Sequence, residues 1–232
     1  MQGLTRVVAD GKILTLVERF LKAGVMEDGV WQPTTVGTPQ GGVLSPLLAN
    51  IALNFLDWHL DSLGYRFVRY ADDLVVLCRS DRQAQEARTV VEQFLTNRLS
   101  LQLSDEKTKV TTFKQGFSFL GFDLKSQSCC MRAKSVEKFK TRVKELTIRS
   151  RNLDAKVIAD LNAVVRGVSR YFVTPFSTVA DQFRTLDRWV RMRLRAMKYK
   201  RKSVEDNWRL RIAHLKRMGL IFLSDSLMPQ RC

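Results

Sequence analysis

The stretch Phe67 to Arg79, FVRYADDLVVLCR, sets two adjacent carboxylates, Asp72 and Asp73, inside an otherwise apolar, β-branched run. Such residues fit a pleated, half-buried strand, whereas Asp is depleted from strands and common in turns. The pattern predicts a β-hairpin, Phe67 to Tyr70 and Leu74 to Cys78, with both carboxylates at its turn. Like charges this close repel unless a cation sits beside them, and oxygen-only ligands favour Mg²⁺ over Zn²⁺. A solvated Asp-Asp turn is the plain alternative, and the hairpin alone does not decide between the two.

Before the hairpin, apolar residues at Ile13, Leu14, Leu16, Val17, Phe20 and Leu21 follow helical spacing, with Gly24 as a stop. EDGVWQPTTVGTPQGG carries Gly and Pro at short intervals and predicts one or two short strands leading into a Gly-rich loop. Ser45 followed by Pro46 predicts a helix start capped by the Ser hydroxyl, with Leu48, Ile51, Ala52, Phe55 and Leu56 on one face. Arg82 to Leu99 returns to helical spacing, and KVTTF and FSFLGFDL predict two further strands. This order predicts an α+β domain with an antiparallel sheet. Beyond residue 133 strand signals fade, and Ser135 to Ile148, Leu153 to Phe172 and Thr178 to Lys200 each predict an amphipathic helix.

The net charge of +16 is not evenly spread. From Met131 to Arg217 there are 24 Lys/Arg against 8 Asp/Glu, and the rest of the chain is balanced. This composition break predicts a boundary near residue 130, dividing the chain into 1–130 and an all-helical 131–232. A basic helical segment suits a membrane surface or a nucleic acid. Interleaved aromatics, Tyr171, Phe172, Trp189, Tyr199 and Trp208, favour nucleic acid. No apolar run is long enough to span a membrane, and the first residues have helical spacing rather than a signal peptide's unbroken apolar segment, so an intracellular protein is expected. Cys78, Cys129, Cys130 and Cys232 show no C-x-x-C spacing and lie far from His59 and His214, which indicates neither zinc nor a disulfide framework.

FLKAGVMEDG, GTPQGGVLSPLLANIALNFLD, FVRYADDLVVLC, LSDEKTKV and FSFLGFDL stand in one order, followed by LNAVVRGVSRYF and FRTLDRWVRMRLRAM. In that order they resemble the palm motifs and then the thumb or maturase region of bacterial and organellar group II intron reverse transcriptase/maturases. The resemblance implies a partial right-hand polymerase palm, an antiparallel sheet with helices, followed by an all-α basic thumb/maturase bundle. It implies RNA-directed DNA polymerisation with two Mg²⁺ ions held by Asp72 and Asp73. Tyr70 and Ala71 would border the primer end, and Pro39, Gln40 and Gly41 would line the pocket for template base and nucleotide. Lys107 would approach the triphosphate, and Phe119, Leu120 and Gly121 would form a primer grip. Arg166, Gly167 and Tyr171 match the thumb pattern, and Arg166 and Tyr171, with Arg188, Arg191 and Arg195, would bind RNA. For Phe119, Leu120 and Tyr171 the plain alternative is core packing.

The partners so implied are structured intron RNA, an RNA template with its DNA primer and deoxynucleoside triphosphates, and no membrane. The family pattern also has a fingers region and an earlier aspartate on a strand ahead of the first helix. Neither is matched here, and Asp10 is not given that role. Completion by a second chain or a homodimer is one expectation. A non-catalytic, RNA-binding splicing factor or truncated remnant is the alternative. No Cys/His-rich segment of an HNH nuclease follows the basic helices, so DNA cleavage is not expected. The implied location is the bacterial cytoplasm or an organelle, in a ribonucleoprotein or at the nucleoid.

Overall fold

The computed structural model describes residues 3–6, 8–27, 30–32 and 43–227. The chain divides into two compact units, Met1–Val110 and Thr111–Cys232.

In the first unit, α1 (Gly11–Lys22) starts at Asp10, whose carboxylate accepts from the Lys12 amide at 2.7 Å. It ends before Gly24, which takes the left-handed φ of 76° that a helix stop calls for. Ile13, Leu16 and Phe20 share one face of α1 yet stay about half exposed. Strands β1 (Val25–Glu27) and β2 (Val30–Gln32) pair antiparallel, as the Gly-punctuated sequence predicts. Helix α2 (Ser45–Ser62) begins one residue earlier than expected. Leu44 takes the capping position and Ser45 the first helical one, so the serine is not the cap. Pro46 still lies in the first turn, where its missing N–H costs nothing.

β3 (Arg66–Tyr70) and β4 (Asp73–Leu77) form the expected hairpin, with Tyr70 opposite Asp73 and Arg66 opposite Leu77. α3 (Asp81–Phe94) is capped by Ser80, which accepts from the Gln83 amide, and runs on into a π-helical turn over Leu95–Leu99. The core of this unit is Leu56, Leu60, Val91 and Leu95, flanked by Leu53, Phe67, Leu74, Val76 and Phe94. It uses the Leu56/Leu60 side of α2. Ile51 and Phe55 meet the chain start instead, with the Arg6 guanidinium 5.2 Å above the Phe55 ring.

KVTTF, residues 109–113, is not a strand. Thr112 and Gln115 bond each other's backbone amides through their side chains, closing a local turn that competes with any ladder. FSFLGFDL is two strands rather than one, β5 (Phe117–Phe119) and β6 (Phe122–Lys125). Leu120 (φ 48°) and Gly121 (φ 80°) are both left-handed, as a two-residue hairpin loop of type I′ requires. The cysteine-bearing stretch near residue 130 is a third strand, β7 (Ser128–Met131), giving the antiparallel order β5-β6-β7.

The predicted helices follow as α4 (Ala133–Leu146), α5 (Ala155–Phe172) and α6 (Ala180–Tyr199). Two short helices, α7 (Asp206–Arg209) and α8 (Ile212–Arg217), and a 3₁₀ turn, Leu223–Leu227, complete the second unit. Its core runs through Met131, Phe139, Val143, Leu161, Val165, Phe183, Val190 and Leu194. Buried Asp187 accepts from the Leu223 and Ser224 amides at 2.9 and 3.0 Å, and buried Asn162 bonds Gly219 and Ile221, so α5 and α6 fasten the last described segment. The composition break near residue 130 falls between β7 and α4, whereas the division into compact units falls at 110/111. Among the described residues no helix is long and apolar enough to cross a membrane.

Candidate functional site

Alternation along β3 directs Tyr65, Phe67 and Arg69 to one face and leaves Arg66, Val68 and Tyr70 outward. The Tyr70–Asp73 pair closes a loop of two residues, Ala71 and Asp72, with Ala71 left-handed at φ 54°. Asp72 and Asp73 are exposed, and neither carboxylate accepts a hydrogen bond or meets a cation among the described residues. Backbone geometry alone therefore aims them.

Arg69 does the opposite of its neighbours, because its side chain is only 11% exposed. Its Nε donates to Asp57 Oδ1 at 2.7 Å, and a terminal nitrogen pairs with Asp57 Oδ2. The other terminal nitrogen donates to Asn50 Oδ1 and to the Ala71 carbonyl, both at 2.8 Å. The bond to Asp57 raises the Arg69 pKa against the pull of burial. Arg69, Asp57 and Asn50 all stand inside quoted motif stretches, FVRYADDLVVLC and GTPQGGVLSPLLANIALNFLD, but the resemblance assigns them no role. The available signal is the period of two in RFVRY, which puts a charge on the inward face, where it needs a partner.

The donor set fits a hard divalent cation. Both groups at the turn offer only oxygen, and Mg²⁺ is commonly held by one or two carboxylates with water and substrate phosphates completing its octahedron. Among the described residues no cluster of three or more His, Cys, Asp or Glu is brought together, so these two could supply only part of a ligand shell.

Pro39, Gln40 and Gly41 lie outside the described residues. Lys107 is exposed in a turn, its amide donating to the Ser104 carbonyl at 3.1 Å. Phe119 ends β5 and Leu120 and Gly121 make the β5–β6 turn, all three half-buried rather than core. Tyr171, on the last turn of α5, donates its hydroxyl to the Leu120 carbonyl at 2.9 Å and stacks on Phe122 with ring centroids 5.8 Å apart. Ser135 Oγ donates to the Gly121 carbonyl at 3.0 Å, so α4 and α5 both hold this turn. Arg166 is exposed on α5.

On α6, Arg188 is exposed and Arg191 lies 5.5 Å over the Phe222 ring, which Lys216 also faces. Burial lowers the Arg191 pKa, partly offset by Asp187. Arg195 bonds the Leu210 carbonyl and the Asn207 side chain, so its guanidinium also fastens α7 to α6. Arg184, Arg188 and Arg191 border a shallow depression with Asp187 and Ser224. Three guanidinium groups gathered beside one buried carboxylate, with only Arg184 paired to a second, Asp181, among the described residues, leave an excess of positive charge that can meet phosphates.

A carboxylate pair on a hairpin turn thus stands in one chain with a basic helical unit, and the comparisons give the class of such a chain. The family model described as reverse transcriptase (RNA-dependent DNA polymerase) matches residues 1–124, and the chain belongs to the reverse transcriptase family. The group II intron, maturase-specific domain matches residues 136–216. Protein YkfC of Escherichia coli strain K12 is 30% identical, over 53% of this chain and 42% of its own length. Group II intron-encoded protein LtrA of Lactococcus lactis subsp. cremoris is 28% identical, over 51% of this chain and 30% of its own length. A COX1/OXI3 intron 2 protein of Saccharomyces cerevisiae is 25% identical, over 53% of this chain and 21% of its own length. The chain thus spans less than half the length of each of these relatives.

Proposed function

We propose that the chain works in RNA-directed DNA polymerisation and RNA binding for a group II intron, with residues 1–130 as a partial palm and 131–232 as a thumb/maturase bundle. The observation that carries this is a family match over 1–124 that includes an exposed, unpartnered carboxylate pair on a hairpin turn. Asp72 and Asp73 hold divalent metal, which in polymerases activates the attacking hydroxyl and steadies the leaving pyrophosphate. Tyr70 and Ala71 border the primer end, and Pro39, Gln40, Gly41 and Lys107 serve the nucleotide. Phe119, Leu120 and Gly121 grip the primer, held from behind by Tyr171 and Ser135. Arg166, Arg188, Arg191 and Arg195 face RNA phosphates. The partners are structured intron RNA, template with primer and deoxynucleoside triphosphates, with a second chain or copy completing the site. The complex resides in the bacterial cytoplasm or an organelle.

The test is primer extension on an RNA template with Mg²⁺ and deoxynucleotides. Asp72→Ala is expected to lower extension by about a hundredfold or more while RNA binding stays intact. Extension that persists in the variant rejects the carboxylate assignment. A second reading, a splicing factor that binds RNA without polymerising, is favoured by the maturase-domain match over 136–216. RNA binding with no extension from folded protein supports it.

A further inference from the structure

We infer that Arg69 is a positioning residue for the Asp72–Asp73 turn, held by Asp57 and Asn50 of α2 and holding the Ala71 carbonyl in turn. The inference rests on the reading of Asp72 and Asp73 as metal-binding groups.

Three observations carry it. Ala71 occupies the left-handed region at φ 54°, which is unfavourable for a residue with a Cβ, and its carbonyl is one of the groups Arg69 bonds. The turn therefore sits in a conformation it does not favour by itself. Next, the two carboxylates have no partner of their own among the described residues, so any slack in the backbone becomes slack in their aim. Finally, the guanidinium makes more bonds than an ion pair requires. A buried Arg–carboxylate pair contributes little net stability over an apolar pair of similar volume. Asp57 alone would satisfy its charge, yet one terminal nitrogen reaches past it to both Asn50 and Ala71.

The result is a brace with α2 at one end and the turn at the other. The planar fork of Arg can serve a carboxylate and two further acceptors at once, whereas the compact ammonium of Lys cannot reproduce that geometry. Asn50 stands on the second turn of α2, shortly after the Gly-rich stretch of the sequence. The brace thus fixes the turn relative to the helix that follows the segment assigned to nucleotide binding. Misplacing reacting groups by about 1 Å can cost a hundredfold in rate, so rigidity here has a use that stability does not explain.

The experiment titrates the full chain with Mn²⁺, read by electron paramagnetic resonance of the free ion, beside circular dichroism melting of each variant. Asp72→Ala is expected to remove the tightest Mn²⁺ binding. Arg69→Gln and Asp57→Asn are expected to weaken that binding by about 10- to 100-fold, the usual range for residues that orient ligands, with helical signal retained. Arg69→Lys preserves a charge opposite Asp57 and so protects the fold if Arg69→Gln does not fold. It is expected to weaken Mn²⁺ binding as well.

Wild-type affinity in folded Arg69→Lys and Asp57→Asn, with binding still abolished in Asp72→Ala, overturns the positioning role and leaves the metal site standing. Lower melting temperatures with unchanged affinity overturn it equally, because a merely structural arginine moves only the melt. Wild-type binding that Asp72→Ala does not alter overturns the metal reading itself and the inference with it.

Discussion

Two hairpin turns are built on a left-handed residue that is not glycine, and in both a side chain bonds that residue's carbonyl. Arg69 serves Ala71 and Tyr171 serves Leu120. The second bond separates shape from function. Tyr171→Phe removes the hydroxyl and keeps the rings that pack on Phe122 and Phe172. Because Tyr171 is 52% exposed, the freed carbonyl can turn to water, and the expected cost in a urea unfolding curve is about 0.5–1 kcal/mol. If Leu120 and Gly121 grip a primer, extension falls several-fold more than that loss accounts for, through a higher KM for primer-template. At this scale the sequence is partly legible. Adjacent aspartates in an apolar run stand out unaided, and so does a tyrosine in a helix. Arg69 reads as one more surface cation unless its face of the strand is known. The Leu120 clasp joins groups 51 residues apart, which local pattern cannot show.

Helices α4, α5 and α6 are legible nearly to their ends because apolar spacing persists over 14 to 20 residues in each. Short elements are not. β7 carries SCCM, with no alternation to read, and its place depends on Thr178 and Gln182 far downstream. KVTTF has β-branched residues but closes on Gln115 instead. Gly167 is the exception within α5. It lies mid-helix with nothing within 4 Å of where a Cβ would stand, so packing does not explain it. Gly167→Ala is expected to stabilise the fold by about 0.5–1 kcal/mol, since glycine loses more backbone freedom in a helix. Should RNA backbone approach α5 beside Arg166, the same change weakens RNA binding measurably in a filter assay. A variant that is both more stable and unaltered in affinity removes this face of α5 from the RNA surface.

Across the whole chain, the excess positive charge lies on one side of the structural division. Residues 1–110 hold 12 Lys/Arg against 13 Asp/Glu, and residues 111–232 hold 27 against 10. Nearly all attraction for phosphate therefore belongs to the second unit. RNA affinity is expected to fall by about a hundredfold or more between roughly 50 and 200 mM salt, as released counterions dictate for several phosphate contacts. A flat response in an equilibrium titration counts against RNA binding by this unit. The larger core also lies here, in a unit whose sheet is closed along its β7 edge. The Cys129 amide and carbonyl bond Thr178, and those of Met131 bond the two ends of the Gln182 side chain at 2.9 and 3.1 Å. In the finished protein that strand edge offers nothing to a neighbour. During synthesis it does, because the glutamine follows Met131 by 51 residues. At roughly 5–20 residues per second the gap amounts to about 3–10 s, an interval in which each ribosome-bound chain carries an open edge that only its own later helix can close.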